Sequence, residues 1–135
     1  MATTHIQAAR TVAKTSVAKK ASEWLVILAD RPGVLDQRIQ IRPTHSKNFV
    51  KLHEAGIVSW AGPVFTDHSL PGTKRRPFVG SVIVMNAPSV EAVRKTLEKD
   101  IFVTQGIWDW EAVKILPFET TLRKPVEKAG SFETA

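Results

Sequence analysis

Trp24-Leu-Val-Ile-Leu-Ala29 runs straight into Asp30-Arg-Pro-Gly33. A continuous apolar run this short, rich in branched residues and closed by a Pro-Gly turn, predicts a central strand ending in a turn. After the turn, Val34 to Gln40 can form a short helical piece. Pro43 cannot sit inside a helix without losing a hydrogen bond and clashing with the preceding turn, so a fresh helix is expected from Pro43 to about Ala55, stopped by Gly56. His45, Phe49, Leu52 and His53 then share one face, with Lys47, Lys51 and Glu54 elsewhere.

Ile57-Val-Ser-Trp-Ala61 predicts a second strand ended by Gly62-Pro63. Val64 to Phe78 reads as a polar loop carrying Asp67, His68 and Lys74-Arg75-Arg76, long enough to cover a site. Val79 to Met85 predicts a third strand. Pro88-Ser89 opens a second helix with Val90, Val93 and Leu97 as its apolar stripe. A turn over Ile101 to Gly106 leads to a fourth strand from Trp108 to Leu116, ended by Pro117. The order βαββαβ is that of a ferredoxin-like α+β sandwich. Two helices cover one face of such a sheet, yet the strands are apolar on both. A second copy is the expected cover, giving a homodimer built as an α/β barrel.

The net charge of +6 comes from nineteen Lys and Arg against thirteen Asp and Glu. Four of the cations, Arg10, Lys14, Lys19 and Lys20, lie in the acid-free segment Met1 to Ser22, while Glu23 to Glu119 is nearly balanced. The expected division is therefore a basic tail over 1–22, one domain over 23–119 and a C-terminal tail over 120–135. The leading tail reads as a solvated arm, an extra helix or an organellar transit peptide, so a cytoplasmic location is expected with a mitochondrial one as the alternative. A balanced domain without aromatic interleaving of its cations gives no support for nucleic acid as a partner. No apolar run reaches the roughly 18–20 residues that span a bilayer, so no membrane partner is expected. Absent cysteine excludes thiol chemistry and zinc ribbons.

Asp30 at a strand end and His45 in the first turn of the following helix form the sharpest pair. A carboxylate on one imidazole nitrogen fixes the tautomer and stabilises imidazolium, leaving the other nitrogen to move a substrate proton, while the helix N-terminus favours the neutral ring. A histidine satisfied within the core is the competing reading, as it is for His53. His68, beside Asp67, either closes over the pocket or stays exposed. His45, His53 and Asp67 match no metal-ligand spacing, so no metal is expected. Trp60, Phe102 and Trp108 near strand ends can wall a pocket for a flat organic substrate. Arg42, or a cation from the loop, can hold a carboxylate or enolate oxygen.

Laid out in order, several pieces resemble the YCII-related domain family of small dimeric α/β-barrel proteins. They are the apolar strand ending in Asp30, Arg42-Pro43-Thr44-His45, Ala61-Gly62-Pro63, Gly80-Ser81, Asp100-Ile101-Phe102-Val103 with Gly106, and Pro117-Phe118. Ile101 departs from the family pattern, which commonly has Pro after the Asp. The resemblance implies a histidine and aspartate as a catalytic pair, carried here onto His45 and Asp30. With them, Gly62, Pro63 and Ser81 of the matching motifs, together with Asp67 and His68, belong to the expected binding wall. Members tied to chemistry include a dehydrochlorinase acting on a chlorinated hydroquinone, and similarly folded relatives include lactone isomerases and cofactor-free decarboxylases and oxygenases. The expected function is thus cofactor-free proton abstraction from a small cyclic or aromatic substrate, leading to elimination, tautomerisation or decarboxylation. The alternative is a non-catalytic module of the same fold that binds a small ligand or a protein, in which Trp60 matters more than His45.

Overall fold

A computed structural model describes residues 20–68, 72–73 and 75–124. The alternatives for the leading tail, and Lys74 of the basic tract, lie outside the described residues. The apolar run at 24–29 forms most of β1 (Ser22–Ala29), which pairs antiparallel with β3 (Phe78–Ala87) on one side and β4 (Lys114–Phe118) on the other. With β2 (Val58–Phe65) on the far side of β3, the strand order is β2-β3-β1-β4, a ferredoxin-like antiparallel sheet. The helices are α1 (Leu35–Glu54), α2 (Val90–Leu97) and the one-turn α3 (Ile101–Thr104).

Strand periodicity divides the residues between the two faces. Val26 and Leu28 of β1 and Ile83, Met85 and Ala87 of β3 face the helices, where they are buried with Val93, Leu97, Phe102, Ile107 and Trp108. Ser89 caps α2 by accepting from the Ala92 N–H, the start expected from Pro88-Ser89. On the other face Ile27 and Leu116 remain 39% and 44% exposed. Gly80 lies opposite Ala29, and a Cβ there would stand 2.3 Å from the Leu28 carbonyl oxygen. No larger residue fits between β1 and β3 at that point without moving backbone.

Three boundaries differ from expectation. The helix does not restart at Pro43: α1 continues through it for twenty residues. An interior proline costs a helix about 3 kcal/mol. The packing of Val34, Ile41, Phe49 and Leu52 against the core, on both sides of the proline, offsets that cost. His45 therefore lies mid-helix, and the expected influence of a nearby helix N-terminus is removed, since that influence fades beyond the first turn. The second strand continues through Gly62-Pro63 to Phe65; β2 is an edge strand, where a missing N–H donor is tolerated. The fourth strand begins at Lys114, later than expected. Trp108 instead makes an isolated bridge with Asp30, and Trp110–Ala112 forms a 3-10 turn before β4, whose Pro117 again lies on an edge.

Candidate active site

An uninterrupted α1 aligns Arg38, Arg42, His45, Phe49 and His53, spaced four, three, four and four residues apart, along one stripe. All five line a cavity of about 500 Å3 whose opposite wall comes from β2 and β3. Ser59, Trp60, Gly62 and Pro63 of β2, with Ser81 and Ile83 of β3 and Trp108, complete it.

His45 is the centre of this wall. Its Nδ1 lies 2.7 Å from Oδ2 of Asp100, a residue 1% exposed. Asp100 ends the connection after α2 and caps α3, accepting the Phe102 N–H at 2.9 Å on Oδ2 and the Asn48 amide at 2.8 Å on Oδ1. Three donors thus converge on one buried carboxylate, which makes it a fixed acceptor. Against a carboxylate oxygen Nδ1 is the donating nitrogen, and Nε2 is the ring nitrogen not engaged by Asp100. Phe102 stacks on the imidazole at 3.9 Å, with ring planes 5° apart. Phe49 and Trp108 close in at 4.4 and 5.3 Å, so the ring is clamped on several sides.

Asp30 has another partner. Both of its carboxylate oxygens accept from Nη1 of Arg38, at 2.5 and 2.6 Å. Arg38 is 2% exposed, and its guanidinium also lies over the rings of Phe78 and Phe102. Burial pushes the Asp30 carboxyl above its ordinary value, with the hydrogen bonds and charge of Arg38 pulling the other way. Burial likewise lowers Arg38, while Asp30 supports its charge and Arg42 opposes it. Nη2 of Arg38 donates to Ser81 Oγ at 3.1 Å, and the Trp108 indole N–H donates to the same oxygen at 3.3 Å. A hydroxyl has two acceptor positions and one donor. With both acceptor positions of Ser81 filled, its O–H remains to donate into the cavity it lines.

The expected Asp30–His45 hydrogen bond is therefore replaced by two separate pairs, His45–Asp100 and Asp30–Arg38. The physical reason is the continuous helix: Arg38 sits eight residues from Asp30 and reaches it first, while His45, two turns further on, meets the start of α3. The structure brings Arg42, His45, Trp60, Gly62, Pro63, Ser81 and Trp108 to one cavity. Phe102 lies behind the imidazole as its stacking partner, fully buried. Asp67 and His68 are exposed in the β2–β3 connection, outside that cavity's lining. His53 Nδ1 donates to the Val58 carbonyl at 2.8 Å, a tie between the end of α1 and the start of β2. Among the described residues no group of three or more His, Asp and Glu side chains is arranged to hold a metal ion, and no helix is long and apolar enough to cross a membrane.

No sequence motif marks Arg38 or Asn48 as site residues, and Asp100 stands out only within the Asp100-Ile-Phe-Val103 motif. The four-three-four-four spacing is the one signal for Arg38, and it spans Pro43, so it forms a single stripe only in a helix that continues through the proline. Asp100 stands 55 residues from His45, and no local pattern reports such a contact.

The chain is similar to known proteins in sequence and in fold. The YCII-related domain profile matches residues 22–119. Aspercryptin biosynthesis cluster protein B of Emericella nidulans is 47% identical over 106 residues, covering 78% of this chain and 68% of its own. Fusaric acid biosynthesis protein 2 of Gibberella moniliformis is 33% identical over 104 residues, covering 77% of this chain and 99% of its own. Among solved structures, 5-chloro-2-hydroxyhydroquinone dehydrochlorinase (TftG) from Burkholderia phenoliruptrix AC1100, in complex with 2,5-dihydroxybenzoquinone, superposes with a TM-score of 0.60. It shares 24% identity over 72% of this chain and 93% of its own, and the likeness shows the fold.

Proposed function

This chain belongs to the YCII-related domain family, and on that footing we propose that it is a cofactor-free lyase or isomerase acting on a small cyclic or aromatic substrate. The observation that carries the reading is the His45 imidazole: it lines the cavity while its Nδ1 is committed to a buried Asp100. Nε2 takes a proton from an acidic carbon or hydroxyl of the substrate. The electron pair released moves into the ring or onto a carbonyl oxygen, and the Ser81 hydroxyl donates to the oxygen where charge collects. In an elimination the leaving group departs with its own electron pair. In a tautomerisation the imidazolium returns the proton to a second atom, and in a decarboxylation it protonates the carbon that has lost CO2. Asp100 stabilises imidazolium in each case. Asp30 acts at one remove as a positioning residue, holding Arg38 under Ser81. That the similarly folded TftG is by name a dehydrochlorinase of a chlorinated hydroquinone is consistent with this chemistry.

The test is turnover of chlorinated hydroxyhydroquinones and cyclic ketones, followed by chloride release and by solvent-deuterium incorporation. His45→Gln is expected to slow turnover by about 10²-fold or more, the range of a lost general base, with melting temperature nearly unchanged. Binding without conversion, weakened more by Trp60→Ala than by His45→Gln, supports the alternative of a ligand-binding module.

We also infer a homodimer formed through the open sheet face. Ile27, Val79, Leu116 and Phe118 are exposed there or along its edges, and a second copy would bury them.

A further inference from the structure

A second, smaller cavity of about 170 Å3 lies beside the first, lined by Ile39, Arg42, Pro43, Ser46, Arg76 and Phe78. Arg42 belongs to the walls of both cavities and stands three residues from His45 on α1. The electrostatics here are one-sided. Arg38, Arg42 and Arg76 place their guanidinium carbons 4.8, 5.2 and 5.8 Å from the centre of the same Phe78 ring. Asp30 neutralises Arg38, and Asp36 pairs with Arg75 outside this group. Among the described residues neither Arg42 nor Arg76 has an ion-pair partner or a side-chain hydrogen bond.

How the two arginines are held matters more than their charge. Arg76 lies 4.1 Å over the ring of Phe65, which packs on Phe78 at 5.1 Å. Stacking on a ring fixes a guanidinium without consuming its in-plane N–H donors. Arg42 and Arg76 both line this space, a few water molecules in size, and a planar oxyanion placed there has two guanidinium groups to accept from. The Ser46 hydroxyl, one turn beyond Arg42, adds a further donor on the same wall.

We propose that the pocket between Arg42 and Arg76 is a carboxylate subsite, so that the substrate is a carboxylic acid whose ring occupies the main cavity beside His45. The placement of the ring rests on the proton-transfer reading above; the anion site itself does not. Arg42, shared by both cavities, links the two and sets the distance from the carboxylate to the reacting atom.

Equilibrium binding tests this without any turnover. The full chain, 15N-labelled, is titrated with benzoate and with benzyl alcohol at constant ionic strength, following the arginine Nε–H signals by NMR. Benzoate is expected to shift the Arg42 and Arg76 signals and to bind at least about tenfold tighter than benzyl alcohol, the effect of one charge-assisted hydrogen bond. Arg42→Gln and Arg76→Gln are each expected to weaken benzoate about tenfold. Arg75→Gln, which removes the same charge from a neighbouring residue paired with Asp36, is expected to change nothing. No shift at Arg42 and Arg76, equal binding of the two probes, or an equal loss in Arg75→Gln overturns the proposal. Tight benzoate binding alongside a His45→Gln protein as active as wild type would leave the subsite standing and remove the proton-transfer reading.

Discussion

The Nδ1 atom of His45 and the Oδ2 atom of Asp100 lie 2.7 Å apart, although 55 residues separate them along the chain. This pair joins the middle of α1 to the start of α3, and the same carboxylate caps the shorter helix. One buried group thus holds local structure and aims the proposed base. Asp100→Asn separates the two roles. The amide oxygen can still accept from Phe102 N–H and His45, and the Asn48 amide can turn to present its oxygen to the new NH2. Stability is expected to fall by no more than about 1–2 kcal/mol, the value of a cap or a neutral hydrogen bond. Turnover is expected to fall about 10²-fold or more, because imidazolium loses its counter-charge. Thermal melts and single-turnover kinetics on the same preparation check both halves.

The Asp30–Arg38 pair makes the opposite prediction, large in stability. Its side chains are 6% and 3% exposed, so removing one partner strands a buried charge. Asp30→Asn is expected to cost about 3–5 kcal/mol, and Asp30→Asn with Arg38→Met much less than the sum of the single changes. Urea denaturation of the four proteins in the cycle measures this coupling.

Glu23 on β1 accepts from the backbone N–H and the hydroxyl of Thr120, both at 2.6 Å, and from Arg123 at 3.2 Å. The Thr120 hydroxyl and its backbone N–H hold the carboxyl below its ordinary value of 4.5, burial opposes them, and the Arg123 charge adds a lesser pull in the same direction as Thr120. A lowered value in the folded state means that the unfolded chain binds more protons in that range. The contribution is therefore complete above 4.5 and is lost as pH falls through the lowered value. Melting curves should show Glu23→Gln below wild type at neutral pH, with the gap closing on acidification.

For the open sheet face, Ile27→Glu is the probe. Ile27 pairs with Val82 and Lys114 near the middle of the sheet and is already 39% exposed, so a charge there costs a monomer little. In a face-to-face dimer it would be buried without a partner. Light scattering at micromolar concentration is expected to give a dimer for wild type and a monomer for Ile27→Glu; a monomeric wild type would contradict the dimer.

The order of elements was legible because each strand and helix carries its own local signal: the apolar run at 24–29, the apolar run over 82–85 in β3, and the Ser89 cap with Val93 and Leu97. The cavity's constituents were also largely legible, since Arg42, His45, Trp60 and Ser81 lie near strand ends or on one helix face. What escaped was pairing. Pro43 weakens a helix locally, but whether the helix breaks depends on packing at Ile41, Phe49 and Leu52 that no local rule contains. Once α1 is continuous, Arg38 moves under Asp30 and His45 moves to Asp100. A strand-end aspartate and an inward histidine suggested the right kinds of group while misassigning which met which.

We propose that His45, held by Asp100, moves a substrate proton. It is tested most directly by incubating wild-type and His45→Gln protein with a small-molecule extract of the host in D2O, then comparing products by mass spectrometry. Wild type is expected to convert a small cyclic or aromatic compound with loss of a leaving group or gain of one solvent deuterium, and His45→Gln is expected to leave that compound unchanged. Equal conversion by the two proteins would contradict it.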